Sequence, residues 1–204
     1  MAEDLGTMET RIRRELSRTG LTADIRDAVV SAIKFYEGDR YEFNEDSATA
    51  STVTGDPFVS APTNFIAIDS IKLVSSGQER VLEEENAIEL DERWETTAEP
   101  TAYAVFKNRL RLHPTPDKVY EMRIMYHKTL PEISASASAS SINAWTTAAE
   151  TLIRTKAKEY INDHVLRNYK AGQTMRGLAA AEWTRLVKKS RRKTGRGRIV
   201  AMRF

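Results

Sequence analysis

Three histidines are the side chains in this sequence best suited to proton transfer or metal binding. His113 precedes Pro114 at a predicted strand end, His127 ends another predicted strand, and His164 lies inside a predicted helix. No two of them have the HxxxH spacing that places two imidazoles on one helix face, and the chain has no cysteine. The spacing therefore predicts no metal site, no cofactor site and no catalytic histidine.

A run of carboxylates is the second candidate for acid–base chemistry. It comprises Glu83, Glu84, Glu85, Glu89, Asp91 and Glu92. On a short helix such a cluster is more typical of a solvated face, or of a favourable charge at a helix N-terminus, than of a catalytic pair. The serines in 134–141 have no accompanying base and no GxSxG elbow, and GQTMRG and GRGR lack the context of a phosphate-binding loop. The sequence predicts a protein that is not an enzyme.

The C-terminal end, KKSRRKTGRGRIVAMRF (188–204), has a composition suited to binding. From residue 183 onward there are nine basic and no acidic side chains, so the last 22 residues carry +9 and the preceding 182 carry −7. Such polarity favours an anionic partner, which can be nucleic acid or an acidic surface of another copy. Ile199, Val200, Met202 and Phe204 also need a partner that covers them. We therefore prefer an arm that folds on a partner over a tail that only keeps the protein in solution.

Length and composition set the broad class of the protein. A chain of 204 residues with 41% hydrophobic content can bury a core as one domain or as two small, interleaved ones. No apolar run approaches the roughly 20 residues that span a bilayer, and the N-terminus has acidic residues instead of the apolar core of a secretion signal. Without cysteine there are no disulfides or thiolate metal sites, and a cytosolic location is the default prediction.

Apolar spacing predicts helices at both ends of the chain. A first helix covers 7–18, and a second begins with Thr22 as its N-cap and ends before Gly38. Near the other end, a long helix reaches about Tyr169, Gly172 breaks it, and a further helix covers 174–191. We expect the two C-terminal helices to pack on the two N-terminal ones.

Between these helices, 41–131 contains short runs of β-branched and aromatic residues separated by Gly, Pro and Asn, which is typical of strands. The predicted strands are 51–55, 65–74, 80–82 and 120–127. A hairpin is predicted over 101–114 with Lys107 and Asn108 in its turn, because Asn tolerates a positive φ. The strand 120–127 is expected to pair with the second arm of this hairpin, and 83–94 is expected to form a short acidic helix.

The predicted fold class is α+β, in the form of a mainly α-helical bundle with an inserted small antiparallel β-sheet region and an extended C-terminal arm. The predicted divisions are bundle helices (1–40), a β-rich insertion with the short acidic helix (41–131), a Ser/Ala-rich loop (132–144), further bundle helices (145–192) and the docking arm (193–204).

A series of segments, in order along the chain, resembles the head-to-tail adaptor (connector) proteins of tailed bacteriophages. The segments are DIRDAVVSAIKFYEGDRYEFNE (24–45), FVSAPTNFIAIDSIKL (58–73), LDERW (90–94), PTAYAVFKNRLRLHPTPDKVYEMRIMYHKTLP (100–131), NAWTTAAETLIRTKAKEYI (143–161) and GRGRIVAMRF (195–204). They span nearly the whole chain and contain no catalytic motif, so the resemblance is one of overall pattern. The Ser/Ala tract at 133–141 is longer and simpler than the pattern of this family.

The resemblance implies a structural virion protein that forms a twelve-fold ring, joins the portal to the tail and lines the DNA passage. It implies a place in the neck or tail of the virion after synthesis in the host cytoplasm. The implied partners are the portal protein, neighbouring copies in the ring, a downstream tail or nozzle protein, and non-specific DNA in the lumen, with no membrane and no cofactor. In such adaptors the C-terminal segment grips the portal or a neighbouring subunit. The candidate partner-binding residues are Arg196, Arg198, Ile199, Met202, Arg203 and Phe204.

Two other functions remain open at this point. The first is a nucleic-acid-binding protein whose basic C-terminal arm contacts phosphates, against which the acidic body argues. The second is a tail-associated wall hydrolase, which needs a pair of carboxylates in a groove that the sequence does not identify.

Overall fold

Two compact units make up the structure, a computed structural model that describes residues 4–131, 133–134 and 136–193. Unit 1 combines the two ends of the chain, up to Asn44 and from Leu130 onward, and unit 2 is formed by Glu45–Thr129. The chain therefore leaves unit 1 after its first two helices, completes unit 2 and then returns.

Helices and strands are divided unevenly between the two units. The helices are α1 (Leu5–Leu16), α2 (Thr22–Tyr36), α3 (Ala87–Glu92), α4 (Glu150–Tyr160) and α5 (Tyr169–Lys193). The strands are β1 (Glu45–Ser51), β2 (Phe58–Ser60), β3 (Phe65–Ser75), β4 (Gln78–Val81), β5 (Glu83–Glu84), β6 (Thr97–Ala98), β7 (Ala102–Phe106), β8 (Arg109–His113), β9 (Thr115–Pro116) and β10 (Glu121–Lys128). These strands and the short α3 belong to unit 2, and the other four helices belong to unit 1.

Helices from both ends of the chain share the apolar core of unit 1. The side chains with no solvent exposure include Leu5, Met8, Ile12, Ile25, Val29, Ile153, Ala157 and Ile161. Their spacing of three or four residues within each helix places them on one face. Asp4 begins α1 by accepting a hydrogen bond from the backbone N–H of Thr7 at 2.7 Å. Trp145 precedes α4 and packs edge-on against the rings of Tyr41 and Phe43.

Partly buried ion pairs reinforce the contacts of α1. The Arg26 guanidinium on α2 binds both carboxylate oxygens of Glu9, at 2.5 and 3.0 Å. Glu15 accepts a hydrogen bond from Lys158 on α4 at 2.6 Å and pairs with Arg154 on the same helix. Burial of Glu15 opposes ionisation, but the hydrogen bond from Lys158 and the charges of Lys158 and Arg154 outweigh it, so the pKa of Glu15 is lowered.

The break between the last two helices lies earlier than the sequence predicts. After α4 the chain makes a π-helical turn over Ile161–Val165, Arg167 adopts a positive φ of 53°, and Asn168 caps α5 through its side chain. Gly172 lies inside α5, so its predicted role as a helix breaker is wrong. A Cβ atom at this position would overlap the carboxylate of Asp163, so a larger residue requires that side chain to move.

Two four-stranded sheets share the apolar core of unit 2. The first has the order β1-β10-β3-β4 and is antiparallel throughout. The second has the order β2-β8-β7-β5, in which only β5 runs parallel to its neighbour, and β6 and β9 form a separate parallel pair. Alternate residues of β8 and β10 fill the core: Leu110, Leu112, Met122 and Ile124.

The prediction of a mainly α-helical bundle with a small inserted sheet is wrong. Helix accounts for 41% and strand for 27% of the structure, so the fold is α+β without a dominant helical part. The sequence underestimates the sheets because β1 has the polar sequence EDSATAS and lies at a sheet edge. The alternation of apolar and polar residues that identifies a strand is weak in such an edge strand.

Strand positions and pairings agree with the sequence only in part. The hairpin of β7 and β8 and the strand β3 are confirmed, although Lys107 and not Asn108 takes the positive φ in the hairpin turn. The strand predicted at 51–55 is wrong, since β1 ends at Ser51. The predicted partner of the strand at 120–127 is also wrong, because β10 pairs with β1 and β3 and not with β8.

The ion pairs of Glu15 lead to a pH-dependent prediction. We expect Glu15→Gln to lower the free energy of unfolding by about 1 kcal/mol at neutral pH. Because the folded-state pKa of Glu15 is lowered, its stabilisation is present above the unfolded-state pKa and is lost as the pH falls through the folded-state value. Urea unfolding at neutral pH and at about pH 3, followed by far-ultraviolet circular dichroism, measures this difference. The control is Asp27→Asn on the exposed side of α2, and an equal loss for both variants at neutral pH would contradict the assignment.

The packing at Gly172 leads to a second prediction. We expect Gly177→Ala, at an open position of α5, to raise stability by up to about 1 kcal/mol through helix propensity. Gly172→Ala should instead lower stability, because the new methyl group displaces Asp163 from its ion pair with Arg176 at 2.8 Å. Thermal unfolding of both variants measures the contrast. In an Asp163→Ala background, Gly172→Ala should become favourable, and persistence of the loss there would show that another contact is responsible.

Candidate partner-binding surfaces

The last turns of α5 carry a cluster of basic side chains. Arg185, Lys188, Lys189 and Arg192 line one shallow depression on its last turns. Arg185 pairs with Glu182 at 3.2 Å, whereas the other three have no acidic partner among the residues that the structure describes. Cations are favoured at a helix C-terminus by the helix dipole, which offsets part of their mutual repulsion. This end of α5 therefore presents positive charge to solvent.

Two polar side chains of α5 bind acidic residues elsewhere in unit 1. Trp183 donates its indole N–H to Asp39 at 2.7 Å, and Arg176 binds Glu159 at 2.9 Å. Leu186 and Ala179 bury the apolar side of the helix. These contacts hold α5 against the rest of unit 1.

A groove between α2, α4 and α5 is the second surface feature of unit 1. Phe35, which is 65% exposed, lies on its edge under the ammonium group of Lys156, 4.2 Å from the ring centroid. Burial, with the nearby charges of Glu159 and Asp39, raises the pKa of Tyr36 to about 12. The groove is lined by aromatic side chains and by the charged groups of Asp39, Lys156, Glu159 and Arg176.

Unit 2 has an apolar groove between α3 and the hairpin of β7 and β8. Its lining residues are Phe58, Asn86, Ala87, Ile88, Asp91, Phe106 and Arg111. Asn86 caps α3 by accepting a hydrogen bond from the N–H of Ile88 at 2.9 Å. Arg111 pairs with Asp91 and so ties β8 to α3. The groove is thus held by a helix cap and an ion pair while its apolar side chains stay open to solvent.

The acidic cluster that the sequence singles out lies around α3, with part of it in β5. Glu85 pairs with Arg93 at 2.6 Å and Asp91 pairs with Arg111. Glu89 and Glu92 are exposed and have no ion-pair partner within the described part of the chain. Two of these carboxylates therefore stabilise the local structure, and α3 presents the exposed ones to solvent, as expected of a solvated face.

The three histidines lie in separate environments. His113 ends β8, and His127 on β10 has Nδ1 3.8 Å from a carboxylate oxygen of Asp69. His164 contacts Tyr160 with ring centroids 4.5 Å apart and the ring planes tilted by 45°. In residues 4–131, 133–134 and 136–193, no three His, Asp or Glu side chains are grouped closely enough to hold a metal ion. The described helices also include none long and apolar enough to cross a bilayer.

The predicted partner-binding residues lie outside the described part of the chain. They are Arg196, Arg198, Ile199, Met202, Arg203 and Phe204. Their role stays a prediction, and the structure describes only the basic helix that leads to them.

Two features of unit 2 are not predicted by the sequence: the apolar groove, and the exposed aromatic side chain that follows α3 along the chain. Trp94, just after α3, is 90% exposed, and Ile88 on the helix is 69% exposed. A tryptophan inside the acidic run DERWE was the available signal, because a large apolar side chain in such a run has little reason to be solvated unless a partner covers it.

Two comparisons with known proteins complete the description of the chain. No curated protein matches the sequence. A family model described as SU10 adaptor protein matches residues 4–202, which is nearly the whole chain, including all described elements. The chain therefore belongs to the SU10 adaptor protein family, and the bacteriophage head-to-tail adaptor family predicted from the sequence is confirmed.

Proposed function

We propose that this adaptor assembles as a ring of twelve copies that joins the portal to the tail in the neck of a bacteriophage virion and lines the DNA passage. Family membership supports the adaptor role. The observation that carries the ring is the separation of charge, because the α5 end is cationic while the first 182 residues of the chain have a net charge of −7. This function requires binding surfaces and no chemical step.

A closed ring of identical subunits needs a heterologous interface, in which one patch of each subunit meets a different patch of the next. Lys188, Lys189 and Arg192 provide an unpaired cationic patch within the described residues. The exposed carboxylates of α3 provide an anionic one on unit 2. Patches of opposite charge on different parts of one chain attract another copy and disfavour contact between two like patches.

The residues after α5 act as a docking arm on an acidic surface of the portal or of a neighbouring subunit. Their arginines steer the arm and set its register, while Ile199, Met202 and Phe204 enter apolar pockets and slow dissociation. A downstream tail or nozzle protein binds the opposite side of the ring, and DNA in the lumen meets only weak, non-specific contacts.

Removal of the arm tests this function most directly. We expect truncation after Thr194 to leave a folded protein that joins the portal at least about tenfold more weakly, because the buried apolar anchors are lost. Circular dichroism checks the fold, and light scattering gives the mass of each protein alone and mixed with portal. Recovery of portal by the truncated protein at the wild-type yield would rule out the docking arm.

Substitutions of the apolar and of the basic residues of the arm should affect portal binding in different ways. Phe204→Ala with Met202→Ala should weaken portal binding even at low salt, because apolar anchors mainly determine the dissociation rate. Arg196→Glu with Arg198→Glu should slow association and make it more dependent on ionic strength. Binding kinetics at several salt concentrations measure both effects.

Arg14→Glu with Arg18→Glu is the matched control, since it makes the same charge change on exposed residues of unit 1 far along the sequence from the arm. A nucleic-acid-binding protein would show the opposite ranking. The arginine changes would then dominate, the Phe204 change would have little effect, and the free protein would bind duplex DNA with a steep salt dependence.

A further inference from the structure

We propose that the apolar groove beside α3 in unit 2 is the docking site for residues 194–204 of a second copy of this chain. The inference rests on the proposed function, since it names the subunit surface that receives the arm. It assigns a role to the groove, which the sequence does not reveal.

The groove has open apolar surface on a firm support. Ile88 on α3 is 69% exposed and Phe106 on the facing hairpin is 53% exposed. Phe58 forms part of the lining under the Arg109 guanidinium, 4.5 Å from its ring centroid. The ion pair of Asp91 with Arg111 links the two sides. Apolar side chains held apart in this way leave a site that another apolar segment can fill.

Charge on the helical side of the groove selects a basic occupant. Glu89, Glu92 and Glu95 are exposed and have no ion-pair partner among the residues described, and Trp94 between them is 90% exposed. Lys107 and Arg109 stand on the hairpin side. Lys107 lies over the ring of Phe106, 5.5 Å from its centroid, and Arg109 lies over that of Phe58. A segment that fits this surface has cations that lie along α3 and apolar side chains that enter the groove.

The C-terminal segment has the composition that this groove requires. Residues 194–204 contain three arginines and no acidic residue, and the apolar residues follow Arg198 directly. Fully extended, these eleven residues reach at most about 40 Å, which is comparable with the width of a small domain. The segment is thus long enough to cross to a neighbouring subunit. An aromatic residue such as Trp94 also stacks favourably with an arginine.

A second copy is the occupant that a ring demands. The arm and the groove belong to different units of the chain and differ in charge, as the two halves of a heterologous interface must. When every arm fills the groove of the next copy, all grooves are covered and the ring closes.

Photo-crosslinking in the full-length protein tests this contact. The probe is p-benzoylphenylalanine at position 204, in a mixture of isotopically light and heavy copies, analysed by mass spectrometry. We expect mixed light–heavy cross-links from position 204 to residues of the groove. Cross-links confined to a single copy, or directed only to other surfaces, would overturn the inference.

Variants of the groove provide a second test with a matched control. Ile88→Ser with Phe106→Ser should weaken self-association by at least about tenfold, because apolar burial by the arm is lost. Val119→Ser with Met125→Ser changes two apolar residues of unit 2 with comparable exposure, 65% and 50%, and should leave association unchanged. Sedimentation measures both. Wild-type association of the Ile88/Phe106 variant, or equal losses in the two pairs, would contradict the docking site.

Charge exchange makes the test independent of any folding defect. Glu89→Lys with Glu92→Lys, and separately Arg196→Glu with Arg198→Glu, should each weaken self-association, and mixing the two variants should restore it. Absence of this recovery in folded proteins would count against the pairing.

Portal capture, measured on the same samples, separates the two proposals. Wild-type protein that cross-links into the groove but captures no portal would support the copy–copy contact and contradict the proposed adaptor function. Wild-type protein that captures portal while position 204 cross-links to portal alone would support the adaptor function and overturn the docking site described here.

Discussion

The antiparallel pairing of β1 with β10 is the constraint on which this architecture depends. Its register runs from Glu45 opposite His127 to Ser51 opposite Glu121, so the first and last strands of unit 2 are neighbours. The chain thus enters and leaves unit 2 at one end of a single strand pair. Because the entropy cost of closing a loop grows only slowly with its length, an insertion closed in this way leaves the flanking helices free to share one core.

In unit 1, charged side chains between the helices form ion pairs. Most of the described cations at the end of α5, where the chain continues toward the arm, do not. Glu159 is almost buried and binds both Lys156 and Arg176, and Glu15 lies between two cations of α4. Buried charges without such partners would be strongly destabilising. At the end of α5, most of the described cations have no ion-pair partner. Solvent screens the repulsion between them, so the fold tolerates this charge and leaves it available to a partner.

Unit 2 similarly has apolar side chains that its own core does not cover. Most of them lie between the two sheets, but Ile88, Trp94 and Phe106 remain exposed around α3. Covering such surface is worth roughly 25 cal/mol for each square ångström of apolar area. Unit 2 therefore keeps apolar area that contact with a partner can bury, as the proposed assembly requires.

The sequence by itself determined the features that depend on neighbours along the chain. Helices α1 and α2 follow from spacings of three and four residues, β3 and the hairpin of β7 and β8 follow from short β-branched and aromatic runs, and the family follows from segments in order. The tertiary structure decided the partners of β10, the reason for glycine at Gly172, the second sheet and the groove beside α3. Each of these depends on residues that are far apart in sequence and meet only after folding, so local patterns carry no record of them.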